Sequence, residues 1–385
     1  MNQSVFLHIV ERLESLLAKL PATIQKPILN ELTPLKELFL QQRPPRFVLT
    51  GSIKKSGPEL VDLFFGKAES GRPATVFRWQ EFNVDGHGTI CLLDARGAGE
   101  GGADSVSEEL KRRPGDVILF VEEAADARRA RKAEIGNLIA CLDWSGAATT
   151  KVVGISFSAG KATSTRGWGK DEAGHSLAER LGEALKREGE LPKVVVFDAV
   201  EKIPEQVQLL RSILTRALPN EARIEMTRIS RDRESQREIA QLLVKSTSAI
   251  CAAIGAQPIP LADLPILTTL QLVMVSGIMY LSGRERSLRA ATEFVGAIGA
   301  NVGAGMLLRE GARALLKFLP GWGNVICGMV AGAGTYAIGR AATAFFLEGV
   351  SLKEARRTYL AVRRKRPRPG LPTPENAKSK GRHKK

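Results

Sequence analysis

Residues 51–66 read GSIKKSGPELVDLFFG, directly after the apolar run RFVLT. A glycine-opened loop between a strand and a helix suits phosphate, because loop amides and the helix N-terminus converge on an anion. Laid on the pattern G-x-x-x-x-G-K-[ST], Gly51 fits the first glycine and three decisive positions depart. Ser56 stands for the second glycine, Gly57 for the lysine that reaches the β and γ phosphates, and Pro58 for the hydroxyl residue that ligates magnesium. Pro58 also removes an N–H from the helix start, although proline suits a first helical position. Lys54 and Lys55 remain as cations near the place of the missing lysine. They are able to reach an anion from the loop, but the plainer reading is a solvated charge pair on a turn.

Other chemistry finds little support. His8, His87, His175 and His383 have no Ser or Cys partner in a recognisable arrangement, and no carboxylate pair is spaced for acid–base work. Cys91, Cys141, Cys251 and Cys327 are far apart and match no metal-ligand spacing, so they read as buried thiols in a reducing compartment. The net charge of +15 resembles a nucleic-acid signature until it is located. Residues 351–385 hold 13 Lys and Arg against two Glu, so +11 of it lies at that end and no basic domain is present. Nucleic acid is therefore the less favoured partner, reachable only through that basic end.

The elements that must position the loop are legible as runs. With 385 residues, 44% hydrophobic and 25% charged, the composition is ordinary for a globular chain of two domains. The start, with Glu11 and Glu14 inside its apolar pattern, does not read as a secretory signal. Residues 1–45 read as two amphipathic helices, 4–20 and about 23–40, ended by the breaker RPPR. From 46 to 202, the runs RFVLT, GTICLLD, DVILFVEE, KVVGISF and KVVVFDA alternate with helix-length segments at 58–65, 105–112, 126–142 and 172–188. Near-continuous Val/Ile/Leu strands spaced by helices predict an α/β domain, a doubly wound parallel sheet of the P-loop NTPase type. Residues 203–257 read as a helical connector that includes one long helix from about 224 to 254.

The α/β segment resembles the Era-like GTPases of the translation-factor class. ICLLDARGAGE is similar to that family's D-x-x-G motif, with Asp94 and Gly97 retained and Arg96 where proline is common. The resemblance implies that Asp94 supports magnesium through water, that the Gly97 amide senses the γ phosphate, and that Thr75 in GRPATVF is the first switch threonine. The guanine-reading motif N-K-x-D is absent, since Ser156-Phe157-Ser158-Ala159 follow the strand in its place. Phosphate lysine, magnesium hydroxyl and base-reading Asp are each worth on the order of 1.5–3 kcal/mol, so losing all three weakens nucleotide binding by several powers of ten. The vestigial site is then Gly51, Lys54, Lys55, Ser56, Gly57, Thr75, Asp94 and Gly97. The expected cofactor is none, with GTP and Mg²⁺ as the occupants if the site still functions.

Residues 258–350 resemble the YcjF-type domain of unknown function, commonly found behind Era-like GTPase domains and described as membrane-associated. Pro258-Ile259-Pro260, Gln271, Leu319-Pro320-Gly321 and the segment Thr335-Tyr336-x-x-Gly339-Arg340 carry the likeness. Residues 264–283 and 318–339 contain no charge, and Gly299/Gly303 and Gly328/Gly332 are four apart, a spacing that permits close helix contact. Arg284, Arg286, Arg289, Arg309, Arg313 and Lys317 lie between the two stretches and oppose translocation of that segment. The expectation is an all-α, glycine-rich, apolar helical domain at the cytoplasmic face of the inner membrane, peripheral or inserted as a hairpin, with a cytoplasmic Gly-packed bundle as the alternative. Residues 351–385 are read as a basic, mostly disordered tail, in which the amphipathic LKEARRTYLAVRR leads into a Pro-rich end expected to be disordered, and the Arg363-Arg364-Lys365-Arg366 cluster suits anionic head groups.

The reading is a pseudo-GTPase: a membrane-associated binding and regulatory protein, with enzymatic activity left open and leaning to none (GTP hydrolysis if the site is active), an unidentified protein partner, and self-association as an option. Two alternatives stand beside it. One is a weakly active GTPase using a rearranged loop, and the other is an RNA- or ribosome-associated factor acting through the tail.

Overall fold

The computed structural model describes residues 22–39, 41–70, 76–123, 131–146, 150–158, 172–185, 193–198, 204–256, 264–299 and 322–365. Each apolar run expected as a strand is one: β1 (Arg46–Ser52), β4 (Gly88–Asp94), β5 (Val117–Glu123), β6 (Lys151–Ser158) and β7 (Lys193–Asp198). Two further strands, β2 (Ala68–Ser70) and β3 (Trp79–Val84), lie between β1 and β4 in the chain. The seven strands form one sheet in the order β2-β3-β4-β1-β5-β6-β7. From β4 to β7 the neighbours are parallel, whereas β3 runs antiparallel to β4 and β2 to β3.

Alternation along the strands supplies two cores. Phe47, Leu49, Val117, Leu119 and Val121 face one cluster, and Val48, Ile118 and Phe120 face the other. A sheet buried on both faces explains why its strands read as unbroken apolar runs. Helix α2 (Gly57–Phe65) brings Phe64 and Phe65 onto the first face, where Phe47–Phe65 and Phe64–Phe197 ring centroids lie 5.2 and 5.6 Å apart. Helix α3 (Ala103–Arg112), α4 (Arg131–Trp144) and α5 (Glu172–Leu185) give Val106, Leu110, Leu138, Leu177 and Leu181 to the second face.

Helices α6 (Pro204–Ala217) and α7 (Asn220–Ser230) share the first core through Leu210, Ile213, Leu214, Met226 and Ile229. They belong to one compact unit with the sheet, Glu37–Gln236. The long helix expected over 224–254 is two helices, α7 and α8 (Arg233–Gly255). Arg231 ends α7 in the left-handed region at φ 51°, and the Asp232 carboxylate accepts the Ser235 N–H at 3.0 Å to begin α8.

The second unit comprises Met1–Lys36 and Arg237–Lys385. Its described helices, besides parts of α8 and of α1 (Ala22–Phe39), are α9 (Leu264–Leu281), α10 (Leu288–Gly299), α11 (Trp322–Phe346) and α12 (Leu352–Lys365). Glycine on α11 serves close packing on α8. A Cβ at Gly328 would fall 2.6 Å from the Ala252 carbonyl oxygen, and one at Gly339 would fall 2.5 Å from Val244 Cγ2. Gln271 of α9 donates to the Thr335 hydroxyl of α11 at 2.8 Å, satisfying both polar groups between apolar helices. No helix among the described residues is long and apolar enough to cross a membrane. The expected helix 4–20, part of the stretch 318–339, Gly303 and the tail beyond 365 lie outside the described residues. Cys91, Cys141 and Cys251 are buried free thiols, and desolvation pushes them up to about 11, about 12 and about 12.

Candidate functional site

The order of the sheet puts a crevice at the carboxyl end of β1. The chain leaving β1 returns on the β4 side, and the crossover from β4 through α3 passes β1 to reach β5. Such a reversal opens a gap between loops, which is where open α/β sheets bind ligands. A cleft of about 1090 Å³ lies there, formed by the loop 51–58, by Asp94, Arg96 and Gly97 after β4, and by the α4 face of Ala133, Gly136, Asn137 and Ala140. Gly51, Lys54, Lys55, Ser56, Gly57, Asp94 and Gly97, all singled out from sequence, line this one cleft. Thr75 lies outside the described residues.

Gly51 is required by crowding. Its φ is +92°, and a Cβ there would stand 2.2 Å from the Val121 carbonyl oxygen of β5, its ladder partner. Gly57 is looser, since a Cβ would rest 3.4 Å from Asp94 Oδ2 and from Leu92 Cδ2. Gly97 adopts φ +70° with nothing within 4 Å of the added carbon, so backbone conformation alone selects it. Lys54 and Lys55 are exposed.

The start of α2 is closed by its own carboxylate. Ser56 caps it: the Ser56 N–H and hydroxyl both donate to Glu59 Oε2 at 2.7 and 2.9 Å, and the Glu59 N–H donates back to Ser56 Oγ at 3.4 Å. The Ser56 N–H is the largest of the influences that hold the Glu59 carboxyl below its usual range. A negative charge thus stands where an anion would meet the helix dipole.

The centre of the loop is filled by Arg96. Its Nη1 donates to the Lys55 carbonyl at 2.7 Å and to the Ile53 carbonyl at 3.0 Å. Its Nε and Nη2 donate to the two Asp94 carboxylate oxygens at 2.8 and 2.6 Å. The Arg96 side chain is only 16% exposed. The loop therefore turns carbonyl oxygens inward where a phosphate cradle turns N–H groups, and its occupant is a cation from the same chain. Asn137 of α4 holds the adjoining segment by donating to the Ala95 carbonyl at 2.7 Å.

These residues do not fit a magnesium nucleotide. Both Asp94 oxygens accept from one guanidinium, Pro58 offers neither hydroxyl nor N–H, and the inward carbonyls would repel phosphate oxygens. Among the described residues no group of three or more His, Cys, Asp or Glu side chains gathers to hold a metal ion. Sequence reasoning located the cleft and noted Arg96 only as a departure from proline. It missed Glu59, although Ser56 and Glu59 have the Ser-x-x-Glu spacing of a capping box. Asn137 carries no signal in the sequence. Compared with protein-family models and with curated proteins, the chain matches none.

Proposed function

We propose that this chain is a pseudo-GTPase, a membrane-associated binding and regulatory protein whose α/β unit is a degenerate Era-like G domain used for docking. The observation that carries the reading is the Arg96 guanidinium seated on the Ile53 and Lys55 carbonyls and on Asp94. A cleft at the carboxyl end of β1, opened by a strand-order reversal, supports descent from the doubly wound P-loop NTPase layout. The chemistry lining it supports the loss of nucleotide handling. In calorimetric titration with GTP, GDP or ATP and magnesium, the full chain is expected to give no binding heat at high micromolar nucleotide. Micromolar GTP affinity that disappears in a Lys54→Ala, Lys55→Ala double variant would replace this reading with that of a weakly active GTPase. The exposed pair of lysines at the cleft is the observation that favours that second reading.

The membrane part of the proposal rests on the helical unit, read as a YcjF-type apolar domain that attaches peripherally at the cytoplasmic face of the inner membrane. Helix α12 buries Ala355 and Tyr359 and exposes Lys353 and Arg357 beside Glu354, a face of net positive charge turned to solvent. Each such charge contributes about 1 kcal/mol near anionic lipid and is screened by salt. Flotation with phosphatidylglycerol-containing vesicles is expected at low salt, with loss in Lys353→Glu, Arg357→Glu protein. Equal recovery of both proteins with neutral and anionic vesicles would overturn the electrostatic part.

A further inference from the structure

We infer that the loop between β1 and α2, together with Asp94 at the end of β4, forms a guanidinium-binding cage, and that Arg96 is its built-in ligand. The inference deepens the reading of this loop as a site that handles no nucleotide, and it rests on that reading. Four oxygens form the cage: the carbonyls of Ile53 and Lys55 and both carboxylate oxygens of Asp94. Their arrangement fits a planar fork. Asp94 takes Nε and Nη2 side by side, while the two carbonyls share Nη1, each within 3.0 Å. A guanidinium presents donors in one plane along two edges, whereas an ammonium is a compact point donor that meets one edge at a time. The cage therefore selects guanidinium over ammonium, and cations over anions.

Its position gives the contact a purpose. Arg96 lies on the segment after β4, so its side chain fastens the β1–α2 loop to the Ala95–Gly102 segment across the mouth of the cleft. Gly97 and Gly101, with φ +70° and +136°, give that segment backbone freedom, and the guanidinium removes it. The loops flanking the cleft are thus held in one arrangement by a side chain.

The test uses the full chain with Arg96→Ala and follows thermal unfolding of the α/β unit. The vacated cage is expected to lower the transition by about 5 °C. Methylguanidinium chloride at tens of millimolar, compared with methylammonium chloride at the same ionic strength, is expected to raise the variant's transition by about 1 °C or more and to saturate. Wild-type protein should show no such gain, because its cage is filled. If the alanine variant does not fold, Arg96→Gln vacates the Asp94 edge while keeping bulk, and the same differential rescue is expected. Equal response to both cations, or an equal gain in wild type, would overturn the cage. The readout contains no nucleotide: failed rescue would sink the cage and leave the pseudo-GTPase reading standing, whereas tight GTP binding by wild type would sink that reading together with the inference that rests on it.

Discussion

Gly51→Ala is expected to unfold the α/β unit or bring it close to unfolding, with a loss of about 4 kcal/mol or more. Two costs combine. An L-residue at φ +92° is strained by about 1–2 kcal/mol. The larger cost is steric, since the new carbon would lie 2.2, 2.8 and 3.0 Å from the O, N and C atoms of Val121, which are backbone and cannot rotate away. Relief requires β1 to separate from β5 at Gly51↔Val121, the pair before the last in the parallel ladder, which opens the carboxyl end of both strands. A typical domain has only about 5–15 kcal/mol in reserve. Gly57→Ala is the control, because its added carbon makes contacts of 3.4 Å and adopts a helical position, so its unfolding midpoint should barely move. Urea titration followed by far-ultraviolet circular dichroism distinguishes the pair. A Gly51→Ala protein within about 1 kcal/mol of wild type would show that the two strands are not packed this closely.

Asp116→Ala is expected to cost about 3 kcal/mol, through an unpaired cation at the other end of the strands. The Asp116 carboxylate accepts both Arg43 terminal nitrogens at 2.6 and 2.7 Å and the Arg46 N–H at 2.9 Å. Its side chain is 6% exposed and that of Arg43 is 27% exposed, so water replaces the lost bonds only in part. Hydrogen bonding to Asp116 is the main reason that Arg43 holds its proton even more firmly than usual. Asp116→Asn keeps an acceptor for the Arg46 amide and should recover roughly half of the loss. The same urea titration reads both variants. An alanine variant shifted by less than about 1 kcal/mol would mean that the ion pair is dispensable.

The strands buried on both faces were legible because burial imposes continuous apolar runs, as in RFVLT and DVILFVEE. β3 was not legible, since Trp79–Val84 buries only Phe82 and Val84 among half-exposed Trp79 and Gln80 and exposed Glu81 and Asn83, and three-residue β2 is too short to form a pattern. The break between α7 and α8 was hidden because Arg231 is an unusual residue for a left-handed cap, while the apolar spacing continues on either side. At the site, the sequence located the loop but not its polarity. Whether a loop turns amides or carbonyls inward is a matter of backbone dihedrals, and the residue that settles it here, Arg96, lies far along the chain. Arg43 likewise read only as part of a breaker, because its partner Asp116 is distant in sequence.

The sheet order also fixes when the protein can fold as it is synthesised. β1 emerges first among the strands, yet its neighbours are β4 and β5, so Phe47 waits for both Leu92 and Val117. The β3–β4 hairpin needs no such delay, because Asp85 and Gly86, both at positive φ, close it locally. Closing the longer loops costs entropy before any ladder returns it. On the ribosome β1 therefore keeps its β5 edge unpaired after β4 has emerged and until Glu123 has left the exit tunnel, which makes RFVLT a segment in need of chaperone cover.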